Sequence, residues 1–316
     1  MFKYTVKRLL QSLVTVFIVV TIVFLLMSML PTDYYFTDEQ LIKFTEKQKE
    51  TALRAAGLLD PLSTQLFRFY GRTLRFDFGT SRRIQSGVPV VKVIGSKFGV
   101  SMRNGMIAIG ISLVLGIAMG MLQTRFKNKI PDHLGTAYTI FVNAVPPLVS
   151  YSLVLFAGWR VFGLPSTYST RNVAESSILP ILCLALTAIA GYAIWTRRYM
   201  IDEMNKDYIK LARVKGLSQK KIISKHVLRN AFVPLAQYLP STLLMTIGGS
   251  ILVEKFFSIP GMGPLLVEAI GRYDINVVLT LVMFYSSLSI MGVFLGDVLM
   301  MIVDPRITLT EKGGTR

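Results

Sequence analysis

The sequence predicts an all-α integral membrane protein with six transmembrane helices, because its composition and the spacing of its charges do not suit a soluble fold. Of the 316 residues, 52% are hydrophobic and 17% are charged. The charges leave six uncharged windows, each long enough at about 1.5 Å per residue to cross a hydrocarbon core of roughly 30 Å. These are Leu9–Leu30, Asn104–Leu122, Leu134–Trp159, Ser176–Thr196, Ala231–Val253 and Ile275–Gly296. This pattern excludes a disordered tail, a collagen and a disulfide scaffold.

Residues 1–30 are predicted to form a short cytoplasmic N-terminus and the first transmembrane helix. Lys3, Lys7 and Arg8 precede the apolar run, as they would in a secretory signal. The run is 22 residues long, however, and no small-x-small cleavage site follows it. We therefore expect the first helix to be retained.

Residues 31–103 form the one long polar segment, which we expect to be an extracytoplasmic cap of short helices between helices 1 and 2. Thr37 and Gln40 have the spacing of a capping box, and Gly57 is expected to end a helix. The segment is too small to hold much of a core alone. A lid on the bundle is therefore favoured over a separate binding domain.

Residues 104–303 contain the other five predicted helices, and the fifth window has more helix breakers than a passive anchor needs. It holds Pro234, Pro240, Gly248 and Gly249, and the third window is interrupted in the same way by Pro146 and Pro147. Interrupted helices are tolerated in a membrane where the freed backbone faces protein or a wet cavity. The fifth helix is therefore a candidate to line a pathway, the alternative being that proline and glycine are simply common in membrane helices.

Ionisable groups are rare inside the windows, and Asp297 is the clear exception. It is a candidate gate residue, although a carboxylate near a helix end also reaches the interface or caps a partner. A pump or ion-coupled carrier would need more buried carboxylates than this. The candidate pathway or gate residues are Pro240, Gly248, Gly249, Glu254 and Asp297.

The placement of the basic residues predicts the orientation of the chain, whose formal charge is +17. If the N-terminus is cytoplasmic, the four cytoplasmic segments carry 19 Lys and Arg in 66 residues, whereas the two short outside loops carry 4 in 37. This positive-inside asymmetry predicts an inner-membrane protein with both termini cytoplasmic, including a tail at residues 304–316. Anionic membrane lipid then explains the basicity, and no aromatic-and-basic module suggests nucleic acid.

Metal and disulfide chemistry are not predicted. Cys183 is the single cysteine and lies in the fourth window, while His133 and His226 are the only histidines and are far apart. A metal site needs several such ligands, so we expect none.

The predicted cytoplasmic loop 197–230 carries ten Lys and Arg residues and a helical pattern. Residues at i, i+3, i+4 and i+7 share one face of a short helix. They are Tyr208, Leu211, Ala212 and Lys215. Gly216 is placed to end this helix, and Ser218 is placed to cap a second one in which Ile223 and Val227 share a face.

This helix–Gly–helix unit has two interpretations. A small residue such as Ala212 among basic neighbours suits docking into a groove of another protein. A basic surface helix also suits the headgroups of anionic lipid. The helical pattern alone leaves the two interpretations nearly level.

Four blocks of sequence occur in an order that is typical of one transporter family. They are Asp207–Ser218 continued by His226–Ala231 and Pro234, then Val253–Gly263, then Asp304-Pro305-Arg306, and more weakly Gly57–Leu62 with Asp77-Phe78-Gly79. Together these blocks cover nearly the whole chain. They resemble the permeases of ABC importers in the dipeptide, oligopeptide and nickel branch.

The resemblance implies a type I ABC importer permease fold with six transmembrane helices. In that family the permease pairs with a second, homologous permease and two cytoplasmic ATPases, and an extracytoplasmic substrate-binding protein delivers the substrate. The patterned loop is then a coupling helix in a cleft of the ATPase. The matching residues are Asp207, Tyr208, Leu211, Ala212, Arg213, Lys215, Gly216 and Leu217. The general permease motif opens with a glutamate where this chain has Lys210.

ATP and Mg are expected to be used by the partner ATPases, because this chain has no GxxxxGK[ST] phosphate loop and is expected to bind no cofactor itself. Without a nucleophile–base pair, a metal cluster or paired carboxylates, it is expected to be a transport subunit and not an enzyme. Oligopeptides or dipeptides are favoured over nickel or another small solute, since no cluster of His, Cys or Met suggests a metal route.

Two alternatives come from other classes. An ion- or proton-coupled secondary transporter would need intramembrane carboxylates or discontinuous inverted repeats, and the scarcity of buried charge counts against it. A membrane scaffold or enzyme with a lipid-binding basic loop would tolerate scrambling of that loop at constant charge, whereas a coupling loop would not.

Overall fold

The computed structural model describes residues 2–30, 32–36 and 38–303. Within these residues the chain is helical and contains no strand beyond an isolated bridge between Thr80 and Pro89. Thr37 of the predicted capping box and the block Asp304-Pro305-Arg306 lie outside the described residues. The helices are α1 (Phe2–Ser28), α2 (Asp38–Lys43), α3 (Glu46–Ala55), α4 (Leu62–Thr73), α5 (Val90–Arg125), α6 (Ile130–Ala144), α7 (Pro147–Phe162), α8 (Val173–Met204), α9 (Asp207–Val214), α10 (Gln219–Lys221), a π-helical segment (Ile222–Val227), α11 (Leu228–Ile247), α12 (Ile251–Phe256), α13 (Met262–Gly271) and α14 (Ile275–Val303).

Five stretches of the described residues are long and apolar enough to cross a membrane, and a bent helix pair raises the number to six. The five are Leu9–Ser28 of α1, α5, α8, Gln219–Phe256 around α11, and α14. The prediction of an all-α membrane protein with about six spans is therefore confirmed.

The third uncharged window forms the bent pair. The helix direction bends by 116° between α6 and α7. Val145, between the two helices, has an extended backbone (φ −82°, ψ 131°). The ring of Pro146 pushes the preceding residue out of the helical region, and proline has no N–H to continue the ladder. The interruption expected at Pro146 and Pro147 is confirmed, and it is severe enough to make two helices.

α5 begins at Val90, well before the uncharged window that starts at Asn104. Arg103 ends the uncharged run in the sequence, and Lys92 and Lys97 precede it, yet Val90 and Val93 are fully buried in the core. Packing of the first turns sets the start of this helix, and a count of charges overlooks such packing. The predicted polar segment 31–103 therefore includes the first turns of α5.

α5 and α8 run parallel and approach closely through glycines on α5. A Cβ added at Gly116 would lie 2.6 Å from the Cβ of Tyr192, and one added at Gly120 would lie 2.6 Å from the Cβ of Thr196. Small residues allow membrane helices to pack backbone to backbone, and they fix the register of the pair.

α11 and α14 form a second close pair that runs antiparallel. Gly292 of α14 faces the backbone of Ser241, and Gly296 faces the backbone carbonyl of Gln237. α11 continues through Pro234 and Pro240 and ends at Ile247, ahead of Gly248 and Gly249. The break predicted in the fifth window is confirmed at the two glycines.

The bundle has two distinct ends. Residues 32–36 and 38–89, here named the cap, lie where α1 ends and where α5 and α14 begin. α9 follows the other end of α8 and lies at the opposite end of the bundle. We call the two ends the cap end and the loop end.

The cap packs on α1 and α14. The hydroxyl of Tyr70 donates a hydrogen bond of 3.0 Å to the carbonyl of Phe17, and the rings of Phe24 and Phe69 lie 5.3 Å apart. These contacts join α4 to the first span. The cap therefore consists of short helices that pack against the bundle.

A capping box begins α3 in the cap. It is formed by Thr45 and Gln48 at the start of α3, where each residue binds the backbone N–H of the other. Thr45 and Gln48 have the same Thr-x-x-Gln spacing as Thr37 and Gln40, whose predicted capping box includes a residue outside those described. Gly57, with φ +69°, follows the end of α3 as expected.

A buried carboxylate fastens the cap to the bundle. Oδ2 of Asp274 accepts hydrogen bonds from the hydroxyl of Ser81 at 2.6 Å and from the backbone N–H groups of Arg82, Arg83 and Ile84 at 3.0 to 3.1 Å. Asp274 lies in the turn between α13 and α14 and is almost fully buried. This contact joins segments about 190 residues apart, and the sequence analysis did not predict it.

Candidate functional site

The loop end carries the patterned segment, and its first helix ends as the sequence predicts. Gly216 has φ +76°. Its N–H donates to the carbonyl of Arg213 at 2.9 Å, and the N–H of Leu217 donates to the carbonyl of Ala212 at 3.2 Å. This pair of bonds is the Schellman motif, which favours glycine because its central residue is left-handed.

The second helix also begins where the sequence predicts. The hydroxyl of Ser218 accepts a hydrogen bond of 3.4 Å from the N–H of Lys221, and Ile223 and Val227 are both buried. The missed feature is the π-helical form of Ile222–Val227. Such segments are rare and are found frequently at functional sites.

One face of α9 is buried in its own chain. Ile209 is fully buried and Ala212 is 8% exposed. They belong to an apolar cluster at the loop end, which also contains Met200, Ile222, Ile223, Val227 and Ala231. Leu217 packs against the same cluster. Ala212 is therefore directed inward, away from the exposed side on which we expected it, and Ile209 is the missed partner whose i, i+3 spacing to Ala212 could have indicated this face.

The opposite face of α9 forms an exposed apolar ridge. Leu211 is 55% exposed and Val214 is 85% exposed. Charged residues of both signs surround this ridge and are also exposed. They are Asp207, Lys210, Arg213 and Lys215. We name Leu211 and Val214 the α9 ridge.

Asp207 and Lys210 form an ion pair of 2.8 Å on the surface of α9. The hydrogen bond from Lys210, and then its charge, hold the pKa of the Asp207 carboxyl below its usual range. An acidic residue in the first turn of a helix is also stabilised by the positive end of the helix dipole.

Tyr208 joins α9 to the ends of two long helices. Its hydroxyl donates to Oε1 of Glu203 at 2.5 Å and accepts from Nδ2 of Asn230 at 2.8 Å. The amide of Asn230 also donates to Glu203 at 3.2 Å. Glu203 lies in the last turn of α8 and Asn230 lies in the first turn of α11. Burial, followed by the hydrogen bond to Glu203, raises the pKa of Tyr208 to about 12, so the hydroxyl stays protonated.

An ion pair fixes the neighbouring helices below α9. Nε and Nη2 of Arg197 donate to the two carboxylate oxygens of Asp132 at 2.7 and 2.9 Å. Asp132 is buried, and it also accepts from the N–H of Asn128 at 2.9 Å. A bidentate Arg–carboxylate pair has a strict geometry. It ties α6 to α8, and the sequence analysis missed it.

The candidate pathway residues do not form one group. Glu254 is buried towards the cap end and accepts from the hydroxyl of Ser101 at 2.6 Å and from the N–H of Gly263 at 2.9 Å. Asp297 is buried on α14 and accepts from Nε2 of Gln237 at 3.1 Å. These two carboxylates bind different elements, and the structure does not bring them together.

Glu254 holds the break in the fifth window in place. Gly249 has φ +96°, and a Cβ at this position would lie 2.7 Å from Oε1 of Glu254. The carbonyl of Gly248 accepts from the hydroxyl of Tyr285 at 2.9 Å. The freed backbone is therefore satisfied by protein, as an interrupted membrane helix requires. Pro240 lies within α11 and is half-buried.

Comparison with known families decides the class of the protein. The model of the family described as the binding-protein-dependent transport system inner membrane component matches residues 112–309. The match covers more than half of the chain and includes α8, α9 and α11. The chain belongs to this family.

Three relatives resemble the permease over nearly their full length. The permease is 34% identical to the dipeptide transport system permease protein DppB of Lactococcus lactis subsp. cremoris, over 98% of this chain and 100% of the relative. It is 32% identical to the oligopeptide transport system permease protein OppB of Haemophilus influenzae, over 97% and 99%. It is 31% identical to the glutathione transport system permease protein GsiC of Salmonella paratyphi A, also over 97% and 99%.

The family determines what kind of protein this is. The permease is a multi-pass inner-membrane subunit of a transport system that works with a binding protein, and it is not an enzyme. The secondary-transporter alternative is not supported. The described residues contain no group of three His, Cys, Asp or Glu side chains that could hold a metal ion. The roles of the α9 residues and of the pathway candidates stay predictions.

Proposed function

We propose that the permease forms half of the translocation pathway of an ATP-driven peptide importer, and that α9 docks into a cytoplasmic ATPase. The observation that carries this proposal is the α9 ridge. Leu211 and Val214 are exposed on a helix whose other face is anchored by Ile209 and Ala212. An exposed apolar patch rimmed by polar groups is typical of a protein-binding surface.

The α9 ridge suits a protein groove better than a lipid surface. Helices that lie in the membrane interface present a wide apolar face and a basic polar face. α9 has eight residues and two exposed aliphatic side chains, Leu211 and Val214, and Asp207 lies beside them. A narrow ridge with charges of both signs is the pattern expected for helix-in-groove recognition.

The contacts behind α9 provide a route from the ATPase to the spans. Tyr208 binds Glu203 at the end of α8 and Asn230 at the start of α11. The apolar cluster around Ile209 includes residues of α8 and of the π-helical segment. A displacement of α9 therefore moves the ends of two spans together.

The mechanism that we propose is alternating access. ATP binding closes the two ATPases, the docked α9 helices of the two permeases move with them, and the spans tilt to open the pathway toward the loaded binding protein. Hydrolysis returns the assembly to its first state. ATP and Mg are used by the ATPases, and the permease contributes the coupling surface and the pathway.

The proposed assembly contains a second homologous permease, two ATPases and an extracytoplasmic binding protein. In this assembly the loop end faces the cytoplasm and the cap faces outward. The excess of Lys and Arg in the predicted cytoplasmic segments supports this orientation, as does the binding-protein-dependent family.

The substrate class that we propose is short peptides. Its support is that relatives matching nearly the whole chain are named for dipeptide, oligopeptide and glutathione transport. Glutathione is itself a peptide, so the three names share one chemistry. The binding protein selects among peptides, and the permease pathway accommodates what it delivers.

The test is ATP-driven peptide uptake by the complex purified from native membranes and reconstituted in proteoliposomes. Leu211→Asp places a charge on the α9 ridge and should lower uptake about 30-fold or more, the effect of about 2 kcal/mol lost at an interface hot spot. Membrane insertion and the melting temperature of the variant should stay unchanged, because Leu211 is exposed.

The matched control is Leu74→Asp, the same substitution at a cap residue that is 81% exposed. It should transport peptide at the wild-type rate. Uptake driven by an ion gradient without ATP would contradict the importer proposal. ATP-dependent uptake that is unchanged by Leu211→Asp would contradict the docking proposal and leave the importer proposal intact.

A further inference from the structure

A cavity of about 160 Å³ lies between α1, α14 and the cap, away from the α9 ridge. α1 is the outermost span, since only 6% of its most apolar window is buried. The cavity lies where α1 ends at Ser28 and α14 begins at Ile275. It therefore lies at the periphery of the bundle, at the cap end of two candidate membrane spans and beside the span with the smallest buried share.

The upper wall of this cavity is rich in arginine. Arg68 pairs with Asp60 at 2.7 Å and Arg72 pairs with Asp77 at 3.0 Å. Arg82 has no carboxylate partner among the described residues. Its guanidinium lies 4.0 Å from the centroid of the Tyr35 ring, and the residue is half-buried. A guanidinium without a carboxylate partner keeps its planar set of donors available for an anion.

The lower wall of the cavity is apolar. It is formed by Phe24 and Met27 of α1 and by Leu279 and Met283 of α14. Met283 lies eight residues beyond the start of α14, which is about 12 Å along the helix axis into the membrane. The cavity therefore has an unpaired cation, Arg82, at the start of α14 and an apolar wall further along α1 and α14.

We propose that this cavity binds one anionic phospholipid, with the phosphate at Arg82 and an acyl chain between α1 and α14. A guanidinium binds phosphate through a planar fork of donors. A phospholipid has a charged headgroup followed by apolar chains, and the cavity offers a cation followed by an apolar wall in the same order. A soluble anion would gain no binding energy from the apolar wall. The inference rests on the membrane location of the permease and not on its peptide substrate.

Native mass spectrometry of the full-length chain, purified in detergent with the proteins that accompany it, tests this proposal. The probes are phosphatidylglycerol, phosphatidylcholine and inorganic phosphate, each added separately. Wild type should retain one phosphatidylglycerol in preference to phosphatidylcholine. Arg82→Gln should weaken that binding about tenfold, the effect of losing charge-assisted hydrogen bonds to phosphate.

A second variant tests the apolar wall, and a third serves as the control. Leu279→Trp should abolish lipid retention by filling the cavity. Arg75→Gln removes the same charge from an exposed arginine of the cap that does not line the cavity, and it should bind lipid like wild type.

Three outcomes would overturn the proposal. Equal loss in Arg82→Gln and Arg75→Gln would indicate general charge attraction. Unchanged binding in Leu279→Trp would remove the acyl-chain assignment. Displacement of phosphatidylglycerol by equimolar inorganic phosphate would identify a site for the free anion. Because the readout is lipid binding, none of these outcomes depends on whether peptide uptake is found.

Discussion

The cap end of the bundle and α9, at the loop end, are fastened in different ways. At the cap end, the buried carboxylates of Asp274 and Glu254 accept hydrogen bonds from backbone N–H groups and serine hydroxyls. At the loop end, the buried carboxylate of Asp132 ties α6 to α8, but α9 itself is held by the apolar contacts of Ile209 and Ala212 and by the hydroxyl of Tyr208.

The difference has a physical consequence. A buried carboxylate that loses its donors is left unsatisfied, so the cap end favours a single arrangement. Apolar contacts are non-directional and survive small displacements. α9 therefore suits a part that moves with a partner, and the cap end suits a part that stays fixed. Four substitutions test this comparison.

Asp274→Ala has the largest expected effect. It removes the acceptor of the Ser81 hydroxyl and of three backbone N–H groups. Because buried donors without partners cost about 1–3 kcal/mol each, the free energy of unfolding should fall by at least about 3 kcal/mol. Thermal unfolding in detergent and protease cleavage at residues 81–84 measure the change. Asp77→Ala, at an exposed carboxyl of the cap, is the control, and equal melting temperatures for the two variants would refute the rigid cap end.

Gly249→Ala should be the next most damaging substitution. The position has φ +96°, and the new Cβ would lie 2.7 Å from Oε1 of Glu254. Backbone strain of this kind costs about 1–3 kcal/mol, and the melting temperature should fall accordingly. Gly110→Ala, in open space on α5, should leave it unchanged or higher. A variant at Gly249 that is as stable as the Gly110 variant would be inconsistent with a fixed break.

Tyr208→Phe should change coupling more than stability. It removes the hydroxyl that binds Glu203 and Asn230, which is worth about 1 kcal/mol. Peptide transported per ATP hydrolysed should fall several-fold because α9 loses its polar link to α8 and α11. Tyr273→Phe, at a half-exposed residue of the cap end, is the control. An unchanged transport ratio in the Tyr208 variant would exclude this link from coupling.

The raised pKa of Tyr208 predicts the direction in which the stability contributed by this hydroxyl changes with pH. The raised pKa means that the protonated hydroxyl is favoured in the folded state. Its stabilisation is therefore fully present below the ordinary pKa of 10 and is lost as the pH rises toward about 12. Wild type and Tyr208→Phe should converge in melting temperature over that alkaline range, and a difference that persists above it would contradict the assignment.

Asp207→Asn has the smallest expected effect. The carboxyl is fully exposed, and its pKa is lowered by Lys210. The ionised form is favoured in the folded state, so its contribution is present above the ordinary pKa of 3.8 and is lost as the pH falls through the lowered pKa. Melting temperatures at neutral and acidic pH should be the same for variant and wild type at physiological salt. A clear shift at neutral pH would show that the surface of α9 carries more stability than this comparison allows.

Local features of the site were predictable from sequence, whereas the orientation of its helix was not. Gly216 ends one helix and Ser218 begins the next, and both do so through contacts with residues a few positions away. Such contacts can be predicted from a short stretch of sequence. The inward direction of Ala212 depends on packing against Met200 and Ile222 of other elements. The face shared by Tyr208 and Ala212 in the sequence therefore did not reveal which side of α9 is buried.

Fold features followed the same division. The breaks at Pro146 and Gly249 follow from the chemistry of single residues and were predicted. The contact of Asp274 with Ser81 spans 193 residues, and the ion pair of Asp132 with Arg197 spans 65, so neither has a local signal. The start of α5 at Val90 was missed because Arg103 ended the uncharged run that begins at Asn104.

The central claim, that the α9 ridge meets an ATPase, is tested most directly by site-specific photo-crosslinking in native membranes. Val214→Cys and Leu74→Cys each provide one cysteine, at the loop end and on the cap, for labelling with a benzophenone maleimide. The native Cys183 is buried and does not compete for the label. We predict that irradiation joins the Val214 label to an ABC ATPase and that the Leu74 label gives no such adduct. Adducts of the Val214 label with lipid alone, or with the same partner as the Leu74 label, would contradict the claim.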